Sequence, residues 1–455
     1  MKGAFSKGAA NGRALRVCHL STFAGQNGAG LAALRLHRSL LTLDIASSLV
    51  CRHGDMNEPG VQCVGDLRSI LGRLLTKCRR MWLCHQLNRM GANKTDRFPL
   101  FSDTRSPETI TLGQLPKCDV LHVHWISGIT QWMVSAIVDQ WAFFQDLPAD
   151  LPVVWTFHDN NPFTGGCHYF MDCNRYESEC RGCPQLKGFS APSDAFASCI
   201  QREKRRIFEI LSHHAFAVAA NSQWTADRAR ASSVLRGLSL DVEVMYPGVD
   251  TAIFCPLDKI ACRDRLGIAQ DALVVCFGAA SLNDPIKGVD LILKALPRSR
   301  FSKHIHLLTF GKGGQLAASG FAVTHVGEVT SDADLAQVYG AADVFIMASK
   351  AESFGQTAAE ALACGIPIVG TPVGGIPEVV EHRFNGLLAT SVTAESIRDA
   401  LDELLDDPKR RQEMSANARQ SAISKFDSTK QALGFLSLYR RLIGKAAGQP
   451  ETRQL

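Results

Sequence analysis

The chain has 455 residues, 46% of them hydrophobic and 20% charged, which suits two or three domains with full cores and excludes a disordered tail, a coiled coil or a disulfide mini-domain. Lysine and arginine total 49 against 44 aspartate and glutamate. A net charge of +5 over this length makes no case for nucleic acid as a partner.

The first sixteen residues are small and polar and lack the apolar core of a secretory signal, so export by that route is not expected. Fifteen scattered cysteines fit thiols in a reducing cytoplasm. Short apolar runs then recur at Leu15–Leu20, Ile45–Cys51, Val120–Trp125, Val153–Phe157, Phe216–Ala220 and Val242–Tyr246, with helix-length segments between them. Runs that are apolar at nearly every position are the signature of parallel strands buried on both faces. The acid- and base-free stretch Val120–Val138 is not read as a membrane span, because His122, His124, Ser127, Gln131 and Ser135 are costly in hydrocarbon.

After Pro247-Gly248 the pattern restarts with Leu273–Phe277, Ile305–Phe310, Val323–Val326, Val344–Met347 and Ile366–Val369, alternating with helices such as Val289–Leu296, Ala333–Tyr339 and Gln356–Cys364. The last part is helical and ends in the amphipathic segment Ser428–Ile443. The expectation is an α/β protein of two Rossmann-like, doubly wound domains facing a cleft. Residues 1–246 form the first, 247–425 the second, and 426–455 a helix and tail packing back toward the first. Open parallel sheets bind ligands at the carboxyl ends of their strands, so the site is expected between the domains.

Four motifs fall at such ends. Gly25-Gln26-Asn27-Gly28-Ala29-Gly30 follows the first strand and precedes a helix, where glycine lets backbone approach a phosphate or sugar. His158 directly follows Val153–Phe157, whereas His122 and His124 alternate on the preceding strand and read as packed core histidines ahead of the alternative that His124 reaches a ligand. Lys287 stands in a turn of the second domain. Ala351-Glu352-Ser353-Phe354-Gly355-Gln356-Thr357-Ala358-Ala359-Glu360 follows Val344–Met347, placing Glu352 before a helix and Glu360 more than one turn inside it.

The ESFGQTAAE stretch, with Gly365-Ile366-Pro367-Ile368-Val369-Gly370 and Gly374-Gly375-Ile376-Pro377-Glu378, resembles the glutamate-x7-glutamate region of retaining GT-B glycosyltransferases of family 4. Met245-Tyr246-Pro247-Gly248-Val249-Asp250, Lys287-Gly288-Val289-Asp290 and Asn385-Gly386-Leu387-Leu388 fit the same family in order. The resemblance implies transfer of a sugar from a nucleotide diphosphate sugar to a glycan or lipid-linked acceptor, without a catalytic metal. It implies that Glu352 and His158 meet the donor sugar and Lys287 its diphosphate. Glu360 would hold the ribose, the backbone of Ser353, Phe354, Gly355 and Gln356 the sugar and diphosphate, and Gly28 and Gly30 the donor side of the first domain. Many relatives carry an arginine where Gly278-Ala279-Ala280-Ser281 stands, so part of the phosphate clamp is absent or comes from elsewhere. An epimerase of the same fold and a non-catalytic sugar-nucleotide-binding protein are the rival readings.

The run from Trp155-Thr156-Phe157-His158-Asp159 through Cys183-Pro184-Gln185-Leu186 resembles the colanic-acid and exopolysaccharide branch. Within it, Cys167, Cys173, Cys180 and Cys183 are compatible with a structural zinc, two disulfides or packed free thiols. Residues 67–97 set a basic face beside an apolar stripe at helical spacing, which suits either an anionic membrane surface or packing on the sheet.

Overall fold

The computed structural model describes residues 14–64, 74, 78, 81, 82, 85, 102, 104, 110–127, 137–186, 195–313 and 321–448. The first sheet contains β1 (Arg16–Phe23), β2 (Ala46–His53), β3 (Val61–Cys63), β4 (Val120–Val123), β5 (Val153–Phe157), β6 (Phe216–Ala220) and β7 (Asp241–Val244). They pair in parallel in the order β3-β2-β1-β4-β5-β6-β7. The second contains β8 (Leu273–Ser281), β9 (Ile305–Lys312), β10 (Ala322–His325), β11 (Val344–Met347), β12 (Ile368–Gly370) and β13 (Gly386–Leu388), in the order β10-β9-β8-β11-β12-β13, again parallel.

The runs expected as strands are strands, and β4, β5, β6 and β11 are buried at every position, as helices on both faces require. Two strands, β3 and β13, are not among the expected runs; each is three residues long, and β3 is interrupted by the polar Gln62. The order of each sheet reverses beside its first strand, between β1 and β4 and between β8 and β11. Those reversals open crevices at the strand ends, and the sequence motifs cluster at the same ends.

The Ser428–Ala446 helix starts at Asp427, whose side chain accepts from the amides of Thr429 and Lys430. Its Phe435, Leu438, Tyr439 and Leu442 pack with Val17, Leu36, Val120 and Val154 of the first sheet and its first helix. The chain therefore crosses between the sheets twice, and the crossings touch. Val249 N donates to Phe426 O at 2.7 Å and Ser428 N to Val249 O at 2.9 Å.

Residues 67–97 lie outside the described residues except for Leu74, Cys78, Met81, Trp82 and His85, which are helical and exposed. Among the described residues no helix is long and apolar enough to cross a membrane.

Candidate functional site

Glu352 sits in the turn between β11 and the Gln356–Ala363 helix, and Gly355, at φ +101°, makes the bend that starts the helix. Its buried carboxylate accepts from Lys287 Nζ at 2.8 Å. Burial works against the Lys287 ammonium, but Glu352 and Asp284 outweigh it and hold the ammonium above the usual lysine range. Two glycine features build this pair. A Cβ on Gly288 would stand 2.0 Å from the Ala348 carbonyl oxygen, so only glycine lets the lysine turn approach the end of β11. A Cβ on Gly374 would stand 1.6 Å from the Glu352 oxygen, and Gly375 N donates to that oxygen at 3.1 Å, so the double glycine forms a floor beneath Glu352.

The first sheet meets this floor directly. Ser353 Oγ donates to the His158 carbonyl at 2.6 Å, and Asn221 Nδ2 donates to both the His158 carbonyl and Ser353 Oγ, at 3.0 and 3.1 Å. His158, Glu352 and Lys287 are thus joined into one locus. Burial pulls the His158 imidazole down to about 4, so the ring is neutral near pH 7. Gln356 Nε2 donates to Gly28 O at 2.8 Å, drawing the glycine loop to the helix N-terminus. Gly28 has open space where a side chain would go, whereas a Cβ on Gly30 would lie 2.8 Å from Phe23, so Gly30 is demanded by packing of its helix on β1. The Phe354 ring is in the core, 5.9 Å from Tyr246 and 5.4 Å from Phe426 between ring centroids, which leaves only its backbone for a ligand.

Glu360 is engaged from across the cleft. Arg35, on the Gly28–Thr42 helix, donates Nη1 to Glu360 Oε1 at 2.7 Å and Nη2 to Asp332 Oδ1 at 2.9 Å. Its guanidinium also lies 5.2 Å from the Phe254 ring centroid, and Tyr339 Oη donates to Glu360 Oε2 at 2.9 Å. Burial opposes the charge on Arg35, but the two acids outweigh it. Burial likewise pushes the Glu360 carboxyl up against the pull of Arg35. With the guanidinium donating directly to the carboxylate, the pair is ionised.

A second clasp uses Glu378, in the Gly374–Glu378 motif. Its carboxylate accepts from the amides of Gln223 and Trp224, at 2.7 and 2.8 Å, and from Tyr246 Oη at 3.1 Å. A carboxylate from one sheet thereby fills the free amides that begin the Gln223–Ala231 helix of the other. The sequence carried Glu378 inside a recognisable motif without a role; for Arg35 it carried no signal.

Cys167, Cys173, Cys180 and Cys183 converge on one cavity of about 20 Å³, beside Phe170 and Tyr176, and none is in a disulfide. Burial pushes the Cys180 thiol up to about 11 and raises those of Cys167 and Cys183. Among the described residues, the one group of three or more His, Cys, Asp or Glu ligand atoms within 4.8 Å of one another is His19, His122 and His124. The four sulfurs are not part of that group.

Residues 259–421 match the family described as Glycosyl transferases group 1. Over 248 residues the chain is 34% identical to D-inositol 3-phosphate glycosyltransferase of Mycobacterium tuberculosis, an alignment covering 50% of each chain, so the match spans about half the length of that relative. The fold is similar to sucrose-phosphate synthase from Thermosynechococcus elongatus, with a TM-score of 0.62 at 18% identity over 95% of this chain and 100% of that one. It is also similar to Anabaena HepE in complex with UDP and glucose, with a TM-score of 0.59 at 17% identity over 93% and 98%. The architecture is GT-B, and the residues similar to the group 1 glycosyl transferases include the whole second sheet.

Proposed function

We infer, from a GT-B fold in which residues 259–421 match the group 1 glycosyl transferases, that the chain is a retaining glycosyltransferase using a nucleotide diphosphate sugar. The supporting observation is the connected locus Lys287–Glu352–Ser353–His158, which joins both domains at the start of the Gln356–Ala363 helix. HepE, of the same fold, is described in complex with UDP-glucose, which supports a uridine diphosphate hexose as the first donor to test.

On this reading the Lys287–Glu352 pair is the resting arrangement, and the donor exchanges it for two better partnerships. Lys287 turns to the diphosphate, where a cation stabilises the negative charge that grows as the leaving group departs. Glu352 turns to hydroxyl groups of the sugar and orients it. The sequence motifs supply no nucleophile paired with Glu352, which favours front-face substitution over double displacement. The acceptor hydroxyl attacks on the face the diphosphate leaves, and a departing phosphate oxygen takes its proton. Closing the first sheet over the donor excludes water and suppresses hydrolysis.

The acceptor side of this reading is a glycan or lipid-linked oligosaccharide in surface polysaccharide synthesis, on the cytoplasmic face of a membrane. Leu74, Met81 and Trp82, helical and 54%, 62% and 52% exposed, give the basic 67–97 segment an apolar side suited to anionic lipid. Zinc on the four cysteines would require their sulfurs to draw together, and no step above uses it.

The test is a panel of nucleotide sugars scored by thermal stabilisation, since a ligand bound to the native state raises its apparent stability. The best responder is then assayed for sugar transfer with and without acceptor. Transfer with retention at the anomeric carbon is expected. Donor conversion without acceptor would favour an epimerase, and binding without turnover a sensor.

A further inference from the structure

Four histidines cross the first sheet from its interior to its ligand edge. His19 on β1 pairs in register with His122 on β4, His124 is two residues further along, and His158 follows β5 on the next strand. Three of them are hydrogen-bonded in series. His19 Nδ1 lies 3.0 Å from His124 Nε2, and His124 Nδ1 lies 3.1 Å from His158 Nε2. His122 stacks on His124 with ring centroids 4.1 Å apart, while its own nitrogens are taken by Tyr439 Oη at 2.6 Å and Thr156 Oγ1 at 2.7 Å.

We propose that His124 and His19 are positioning residues that fix the His158 imidazole in the tautomer presenting an N–H at Nδ1 to the cleft. The inference rests on the reading of His158 as a donor contact.

Burial lowers the proton affinity of all three rings, so each is neutral near pH 7 and carries one N–H. With one proton per ring, both hydrogen bonds must point the same way. In one direction, His19 Nδ1–H donates to His124, His124 Nδ1–H donates to His158 Nε2, and the His158 proton sits on Nδ1. In the other, every proton sits on Nε2, and the N–H of His19 is buried with no acceptor, because His19 Nε2 has no partner. Buried N–H groups without a partner are rare, so the first direction is favoured. It leaves only a lone pair at His19 Nε2.

At the open end, His158 is half-buried and its Nδ1 makes no hydrogen bond among the described residues. An N–H there can donate to an oxygen that only accepts, such as a phosphate oxygen, where a lone pair would repel it. An isolated neutral histidine prefers the proton on Nε2, so the chain of rings imposes the less common form. A metal on His19, His122 and His124 is the competing account of the cluster. Because both nitrogens of each are already hydrogen-bonded, it would have to displace one bond of His122 and one of His124.

The experiment is ring 15N–1H correlation spectroscopy of the full chain labelled at histidine, at pH 7.5, with the His158 signals assigned by His158→Gln. The expected wild-type pattern is protonated Nδ1 and bare Nε2. His124→Phe keeps a ring in the stack but removes the donor, and should move His158 to the Nε2-protonated form with about tenfold weaker binding of the active nucleotide sugar. A wild-type His158 protonated at Nε2, a tautomer unchanged in His124→Phe, or a stoichiometric metal lost in His19→Phe would each overturn the proposal. If His124→Phe does not fold, the wild-type spectrum alone decides. A correct tautomer with normal transfer by His158→Gln would instead count against the proposed role of His158 at the site.

Discussion

Arg35 and Glu360 stand 325 residues apart in sequence, yet the guanidinium of one donates to the carboxylate of the other at 2.7 Å across the interdomain cleft. Glu360 is the residue that the family resemblance gives to the ribose. On that assignment the donor and Arg35 compete for one carboxylate, and admitting a nucleotide parts this pair.

Arg35→Met leaves the buried Glu360 and the partly exposed Asp332 without their cation. Breaking one side of a buried ion pair costs about 3–5 kcal/mol, which denaturant unfolding should register. Glu360→Gln in the same background removes one of the stranded charges and should recover part of the loss. A strictly additive double mutant would show that the two residues are not coupled.

Glu352→Ala and Lys287→Ala should each lower sugar transfer by about 10²–10³-fold, the scale for removing a group that stabilises developing charge. The fold should survive, because Lys287 retains partial access to water at 25% side-chain exposure. Steady-state transfer with the active donor, alongside circular dichroism of each variant, makes the measurement. Unchanged transfer in both would place the reaction elsewhere.

Glycine substitutions should separate architecture from open space. Gly374→Ala forces a Cβ to within 1.6 Å of the Glu352 carbonyl at φ +57°, so it should destabilise the protein and abolish transfer together. Gly28→Ala has nothing within 4 Å to strike and should leave the melting temperature unchanged. If donor affinity nevertheless falls in Gly28→Ala, the glycine loop approaches the ligand.

Stability should decline as the medium is acidified below neutrality. Burial depresses His19, His122 and His124 well below the usual value and takes His158 to about 4. Unfolded histidines protonate near about 6.5, so between there and the folded values the unfolded chain binds more protons. The stabilisation is therefore complete above about pH 6.5 and is lost as pH falls toward 4. Melting temperatures across pH 7.5 to 5 provide the check, and a flat profile would contradict neutral buried rings.

Much of the scaffold is legible in the chain because strands buried on both faces leave apolar runs, as β5 and β6 do. The locus around Glu352 is legible because its residues are local: strand end, glycine turn and helix start lie within one short motif. The clasps are not. Glu378 meets Gln223 from 155 positions away, and Arg35 is one arginine among many until the folded helices bring it to Asp332 and Glu360. The histidine series likewise emerges only when β1, β4 and β5 are laid side by side. His122 and His124 read correctly as core residues, but no spacing shows which nitrogen faces which.

The return of the Ser428–Ala446 helix to the first sheet also sets an order of events during synthesis. Strands β1 to β7 emerge from the ribosome long before Phe435, Leu438 and Tyr439, so one apolar side of the early half stays uncovered while the whole later half is being translated. Newborn chains stalled before that helix should need chaperone protection, and trimming its apolar side should reduce the yield of folded protein even though the change lies far from the cleft.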